Sequence, residues 1–305
     1  MSSIRRRMVV TGCEGQVVRS LLECGHANDR FEIVALGRPS LDLREPESID
    51  AVLRQTLPDI IVSAAAYTAV DQAETDETTA TVVNGIAPGK IAAVADSIGI
   101  PVIHISTDYV FDGSKSQPYL EGDQVAPTGA YGRSKLAGER YVTSATDNHA
   151  ILRTAWVYSP FGRNFLKAML RAAQVRDTLT VVDDQIGNPT SALDIADGIL
   201  RIAFNLLESN DAGLRGTFHM AGSGEASWAA FATEIFSLSA YHGGPSARVV
   251  RIPSQAYPTP TKRPANSRLD CTKLEKVHGV TLGDWRQSTA RVIERVLKNE
   301  PNNIV

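Results

Sequence analysis

Cysteine is scarce in this sequence: Cys13, Cys24 and Cys271 are the only three among 305 residues. Their separations match neither a disulfide framework nor a zinc-ligand pattern, so neither a stapled secreted scaffold nor a zinc protein is expected. Long apolar runs are missing too. No stretch reaches the roughly 18 apolar residues of a membrane span. The segment after the N-terminal arginines, Met8-Val9-Val10-Thr11-Gly12, is too short for the apolar core of a secretory signal. Cytoplasmic residence, with no membrane partner, is therefore the expectation. Positive charge is not in surplus: Lys plus Arg number 31 against 34 Asp plus Glu, a formal net charge of −3. Without a basic stripe a nucleic-acid partner is not expected, and Arg5-Arg6-Arg7 reads as a solvated lead-in to a first strand. Internal repeats and low-complexity tracts are also absent.

What is present is the makings of a core. Hydrophobic residues form 43% of the chain and charged residues 21%, proportions of a globular chain long enough for one large domain with a smaller appendage. Short apolar runs at Met8–Thr11, Glu32–Leu36, Asp59–Ala65 and Pro101–Ser106 read as buried strands. Helical patterns lie between and after them, at about Val17–Cys24, Ser48–Leu57, Thr78–Ile98 and Tyr131–Ser144. A further strand is expected over Ala150–Val157. Alternation of this kind predicts right-handed crossovers and a doubly wound parallel sheet covered on both faces, with ligands at the carboxyl ends of its strands. Beyond Val157 turn formers accumulate, as in Ser159-Pro-Phe-Gly-Arg and Tyr257-Pro-Thr-Pro-Thr. The expected division is a dinucleotide-binding domain over 1–157, completed by part of 190–220, and a mixed α/β lobe over 158–305 that mainly binds substrate.

The chemistry begins at Gly12-Cys-Glu-Gly15-Gln16-Val17, between the first strand and the first helix. Glycines there let the backbone turn tightly and approach a pyrophosphate at a helix N-terminus. Val18 occupies the place of a third glycine. At the end of the second strand, Gly37 stands where an NAD-preferring protein carries an acid for the ribose 2′-hydroxyl, and Arg38 is placed to meet a 2′-phosphate instead. NADPH is thus the expected cofactor, with NADH as the alternative. Asp42 and Leu43 are placed to flank the adenine.

Tyr131-Gly-Arg-Ser-Lys135 sets a phenol and an ammonium four residues apart on one helical face. A nearby cation eases formation of a phenolate, so the pair suits proton delivery to a carbonyl oxygen as hydride reaches its carbon. Upstream, Ser106-Thr107-Asp108 ends the fourth strand with hydroxyls that can orient such a carbonyl.

Together with Ala64-Ala-Ala-Tyr-Thr-Ala-Val-Asp71-x-Ala-Glu74, Ser106 to Gly113, Leu152-Arg-Thr-Ala-Trp-Val-Tyr158, Asp184-Gln-x-Gly-x-Pro-Thr190 and Arg263-Pro-x-x-Ser-x-Leu269, these motifs run in order through nearly the whole chain. The sequence resembles the dTDP-4-dehydrorhamnose reductases, a family of extended short-chain dehydrogenases/reductases with a Rossmann-type fold. The resemblance implies NAD(P)H-dependent reduction at C4 of dTDP-4-dehydro-L-rhamnose. It implies Tyr131 as proton donor, Lys135 as its electrostatic partner and Thr107 as the orienting hydroxyl. By the same resemblance Ala64, Ala65 and Ala66 line the cofactor, and Thr107, Asp108 and Trp156 contact the nucleotide sugar. Asn164, Gln185 and Arg263 fall in loops suited to a diphosphate.

Some family members bind magnesium between subunits through an acidic residue early in the first helix. Here that helix reads Val18-Arg19-Ser20, so no metal site of that kind is expected, although a homodimer stays compatible with the sequence. Two other readings are open: a different sugar-nucleotide 4-ketoreductase or C4 epimerase, and a non-catalytic NADP-binding regulatory subunit of methionine adenosyltransferase.

Overall fold

A computed structural model describes residues 5–26 and 29–299. Six strands form its main sheet: β1 (Arg6–Thr11), β2 (Phe31–Leu36), β3 (Ile60–Ser63), β4 (Val102–Thr107), β5 (His149–Thr154) and β6 (Gly216–His219). All pair in parallel, in the spatial order β6-β5-β4-β3-β1-β2. The strand order reverses between β1 and β3, the topological switch point at which such sheets hold ligands. Both faces are covered, which is why these strands read as unbroken apolar runs. Met8, Val10, Val62, Ile103 and Leu152 pack beneath helices α1 (Gln16–His26) and, later in the chain, Ala192–Glu208. Val9, Ile61, Val102 and Ile151 pack on the other face with α2 (Ile49–Gln55) and α3 (Ala87–Ser97).

Helix α4 (Ala130–Ala145) follows β4 and packs on α3. The rest of the chain supplies α5 (Phe165–Ala173), α6 (Ala192–Glu208), α7 (Trp228–Tyr241), α8 (Thr272–His278) and α9 (Trp285–Asn299). Helices α5, α7 and α9 enclose a second core around Tyr158, Phe231 and Trp285, closed by a parallel ribbon of Thr178–Val182 with Arg248–Ile252. Helix α6 and β6 belong to the main sheet layer.

Two elements differ from the sequence expectation. The helix expected over 78–98 is interrupted: Glu77–Thr81 runs into a π-helical turn, Val82–Ile86, before α3. The wider turn presents Asn84, fully buried, to Tyr67, whose N–H it accepts at 2.8 Å, and to the Ser134 hydroxyl of α4 at 3.0 Å. The expected strand 150–157 ends at Thr154. Trp156 then takes φ 48°, a conformation rare for a bulky side chain, and the chain leaves the sheet as the short strand Val157–Tyr158 paired with Thr190–Ser191. Arg6 and Arg7 lie within β1 rather than before it, Arg7 donating to Glu32 and to the Thr56 carbonyl.

Candidate active site

A cavity of about 1170 Å³ opens at the carboxyl ends of β1 to β5. Its floor is set by Thr11, a fully buried hydroxyl that accepts the N–H groups of Ala64 and Ala65 at 3.0 and 3.1 Å. The end of β3 is thereby fixed against the glycine turn, with Ala64, Ala65 and Ala66 facing the cavity. Gly12 takes φ +96°, and a Cβ there would lie 3.2 Å from the Cβ of Ala65, so the turn and the alanines fit only with minimal side chains. Val18 is absorbed without loss of the turn: its Cγ2 packs under Gly12 and Gly15 in the core. The close approach of α1 to the sheet comes instead at Gly25, where a Cβ would strike Ile33.

Gly15, Gln16, Val17, Arg38, Asp42 and Leu43 all line the cavity, but several side chains have work elsewhere. Gln16 donates to the Val157 carbonyl and accepts from Ser159 and Asn164 at 2.8 and 3.0 Å. Asn164 also caps α5 by accepting the Lys167 N–H. Asn164, expected near a diphosphate, lines the cavity, and its amide also joins Gln16, the Ser159 carbonyl and the cap of α5. Asp42 accepts a forked bond from Arg44, which holds its carboxyl down at about 2. Arg38 is exposed at the rim.

Helix α4 brings Tyr131 and Lys135 to the other end. Gly132 allows this, since a Cβ there would stand 2.2 Å from the Tyr109 carbonyl. Tyr131 rests edge-on against Tyr109, ring centroids 5.5 Å apart. Burial raises its phenol above the ordinary value, opposed by a hydrogen bond with Thr107. Lys135 is almost wholly buried and donates to the Ile105 carbonyl at 2.5 Å. Desolvation lowers its ammonium to about 8, against the field of Glu139 one turn on. Glu139 is itself bound by Arg153 through both carboxylate oxygens, at 2.9 and 2.7 Å, and by Ser106 at 2.5 Å.

Thr107 donates to Asp108 at 3.0 Å and accepts the Tyr109 N–H. Asp108 is buried, which pushes its carboxyl up to about 6, and its Oδ2 finds no hydrogen-bond partner among the described residues. Trp156 stacks on Trp228 with centroids 3.5 Å apart and has Gly187 beneath its indole. Arg263, expected in a loop suited to a diphosphate, has partners within the protein. It does not line the cavity; it pairs with Asp71 at 2.6 Å and donates to the Tyr109 hydroxyl at 3.0 Å. Its guanidinium thereby holds a wall residue, Tyr109, from behind. Sequence reasoning did not single out Asn84, Thr154 or the Glu139–Arg153 pair. Asn84 meets Ser134 50 residues on, Glu139 and Arg153 sit on different elements, and Thr154 has no partner among the described residues. A polar residue inside an apolar helical run was the one available signal, at Asn84.

A parallel sheet with a glycine turn at its switch point and a tyrosine–lysine pair on α4 defines an extended short-chain dehydrogenase/reductase. The family described as "RmlD substrate binding domain" matches residues 6–298. The dTDP-4-dehydrorhamnose reductase of Sinorhizobium fredii is 50% identical over 95% of this chain and 98% of that protein, and that of Burkholderia thailandensis 41% identical over 95% and 99%. The crystal structure of the Bacillus anthracis dTDP-4-dehydrorhamnose reductase in complex with NADP superposes with a TM-score of 0.88, at 31% identity, over 96% of this chain and all of that one. The chain belongs to the dTDP-4-dehydrorhamnose reductase family. Among the described residues no helix is long and apolar enough to cross a membrane, and no group of three or more His, Cys, Asp or Glu could hold a metal ion.

Proposed function

We propose that this protein reduces the C4 ketone of dTDP-4-dehydro-L-rhamnose to give dTDP-L-rhamnose, with NADPH as reductant. The observation that carries the reading is Tyr131 beside the buried Lys135 at the far end of a cavity that starts at the Gly12 turn. The residues present fit a dinucleotide: a turn with no room for a side chain at Gly12, three alanines opposite it, and an α1 N-terminus with no acid in its first turn. NADPH supplies the hydride when bound. Gly37 offers no acid for the ribose hydroxyls, and a Cβ there would displace the Cys13 sulfur, 2.8 Å away; Arg38 at the rim supplies a cation that favours the 2′-phosphate form.

Tyr131 donates its hydroxyl proton to the ketone oxygen as hydride arrives at C4. The burial that raises its phenol keeps that proton in place at neutral pH. Lys135, still largely protonated at pH 7 with a value of about 8, stabilises the phenolate that forms, and Glu139 favours its charged form. Thr107, beside the phenol, orients the ketone; Asp108 and Trp156 face the sugar. Tyr131→Phe tests the assignment, since only the transferable proton is removed. NADPH oxidation with dTDP-4-dehydro-L-rhamnose should fall roughly 100-fold or more with the NADPH dissociation constant unchanged. Undiminished turnover overturns the mechanism, and equal rates with NADH overturn the cofactor preference.

A further inference from the structure

Thr154, the last residue of β5, is 93% buried (7% exposed), lines the cavity, and has a hydroxyl with no hydrogen-bond partner among the described residues. A buried hydroxyl without a partner is costly unless a ligand completes it. Strand alternation turns Thr154 to the same face as Ala150 and Leu152, while on the neighbouring strand Ile103, Ile105 and Thr107 share one face. Thr107 is the direct neighbour of Thr154 in the β4–β5 ladder. The two hydroxyls differ in what they are free to do. That of Thr107 has partners in the ligand-free protein, Asp108, the Tyr109 N–H and the Tyr131 phenol whose proton transfer it assists; that of Thr154 has none among the described residues.

The cavity gives this hydroxyl one fitting counterpart. A dinucleotide with its pyrophosphate at the Gly12–Gly15 turn would run past Ala64 to Ala66, and Tyr131 and Lys135 would hold its ribose. The ends of β4 and β5, where Ile105, Thr107, Thr154 and Val157 line the cavity, would then receive its nicotinamide. The carboxamide on that ring both donates and accepts hydrogen bonds, as a threonine hydroxyl does. We infer that the Thr154 hydroxyl binds the nicotinamide carboxamide and so fixes which face of the ring meets the sugar. It is a positioning residue, and the inference rests on the reading of the cavity as an NADPH site.

Thr154→Val keeps the shape and removes the hydroxyl. The test measures the affinity of NADPH, and of 2′-phospho-ADP-ribose, which lacks the nicotinamide, for wild type, Thr154→Val and Thr154→Ser. The Val variant should bind NADPH about tenfold more weakly, the size of one hydrogen bond, and bind the truncated probe as wild type does. Thr154→Ser should restore NADPH binding. The ligand-free Val protein should unfold at the same temperature as wild type or higher, because the lost hydroxyl had no partner. Equal weakening of both ligands, or unchanged NADPH affinity with a raised KM for the sugar nucleotide, overturns the assignment. Failure of wild type to bind either ligand overturns the cavity reading itself, so the two failures are distinguishable.

Discussion

Lys135 shows how far the site is built against the stability of the fold. An ammonium taken out of water at the inner end of the cavity is held at about 8 rather than its ordinary 10.5. The folded protein therefore releases this proton at lower pH than the unfolded chain does, and between about pH 8 and 10.5 only the unfolded chain carries it. Stability must rise with pH across that window, and the full cost of the buried charge applies below pH 8. Such a displacement corresponds to roughly 3 kcal/mol, from which the hydrogen bond to Ile105, about 1 kcal/mol, must be subtracted. Lys135→Met is thus expected to stabilise the ligand-free protein at pH 7 by about 1–2 kcal/mol while removing turnover, with the gain shrinking near pH 10. Thermal unfolding at the two pH values measures it, and a variant less stable than wild type at pH 7 contradicts the argument. Tyr131 and Lys135 were legible in the sequence because both lie on one helix at a fixed spacing. Their environment was not, since the burial that moves their proton affinities comes from β4 and from side chains remote in sequence.

At the scale of elements, β1 to β4 were legible to within about two residues, because burial on both faces leaves continuous apolar runs between turn signals; β5 was expected to run three residues past its end at Thr154, and β6 was not expected as a strand at all. Helix α4 was legible from its apolar spacing, but what starts it was not. Its N-cap, Gly129, offers no side chain, and the Ala130 N–H is accepted instead at 2.9 Å by Glu74, just past the short helix Val70–Ala73. A carboxylate at a helix N-terminus satisfies an orphan donor and opposes the helix dipole. Here it also fixes the turn that carries Tyr131. Glu74→Ala should cost about 1 kcal/mol of stability and lower kcat several-fold, with NADPH affinity nearly unchanged, and Glu74→Gln should recover most of both losses. Hydrogen exchange at the first turn of α4 reports the cap directly; unchanged protection there in Glu74→Ala would show that the carboxylate does not hold it. The π turn at Val82–Ile86 escaped notice for a related reason. Apolar periodicity continues through it, and only the contacts of Asn84 with Tyr67 and Ser134 account for its register.

Across the whole molecule, the cavity is closed by bonds between segments that the sequence holds far apart. Gln16 reaches Ser159 and Asn164, and Asp71 reaches Arg263 and the Thr261 N–H. The sequence announced Arg263 as a cation in a loop, but nothing local could announce its partner, 192 residues away. The ion pair is partly solvated, with the two side chains 24% and 41% exposed, so it should contribute no more than about 1 kcal/mol to stability. Its weight falls on Tyr109, whose hydroxyl Arg263 holds and whose ring lies against Tyr131. Asp71→Asn and Arg263→Met should then each raise the KM for the sugar nucleotide several-fold and leave NADPH affinity alone. The double variant should be no worse than either single one, because both remove the same constraint. An arginine that gripped the diphosphate itself would behave differently. Arg263→Met would weaken dTDP binding strongly, whereas Asp71→Asn would free the guanidinium and tighten it. Titration of the three variants with dTDP separates these outcomes, and a tighter Asp71→Asn complex would return Arg263 to the substrate.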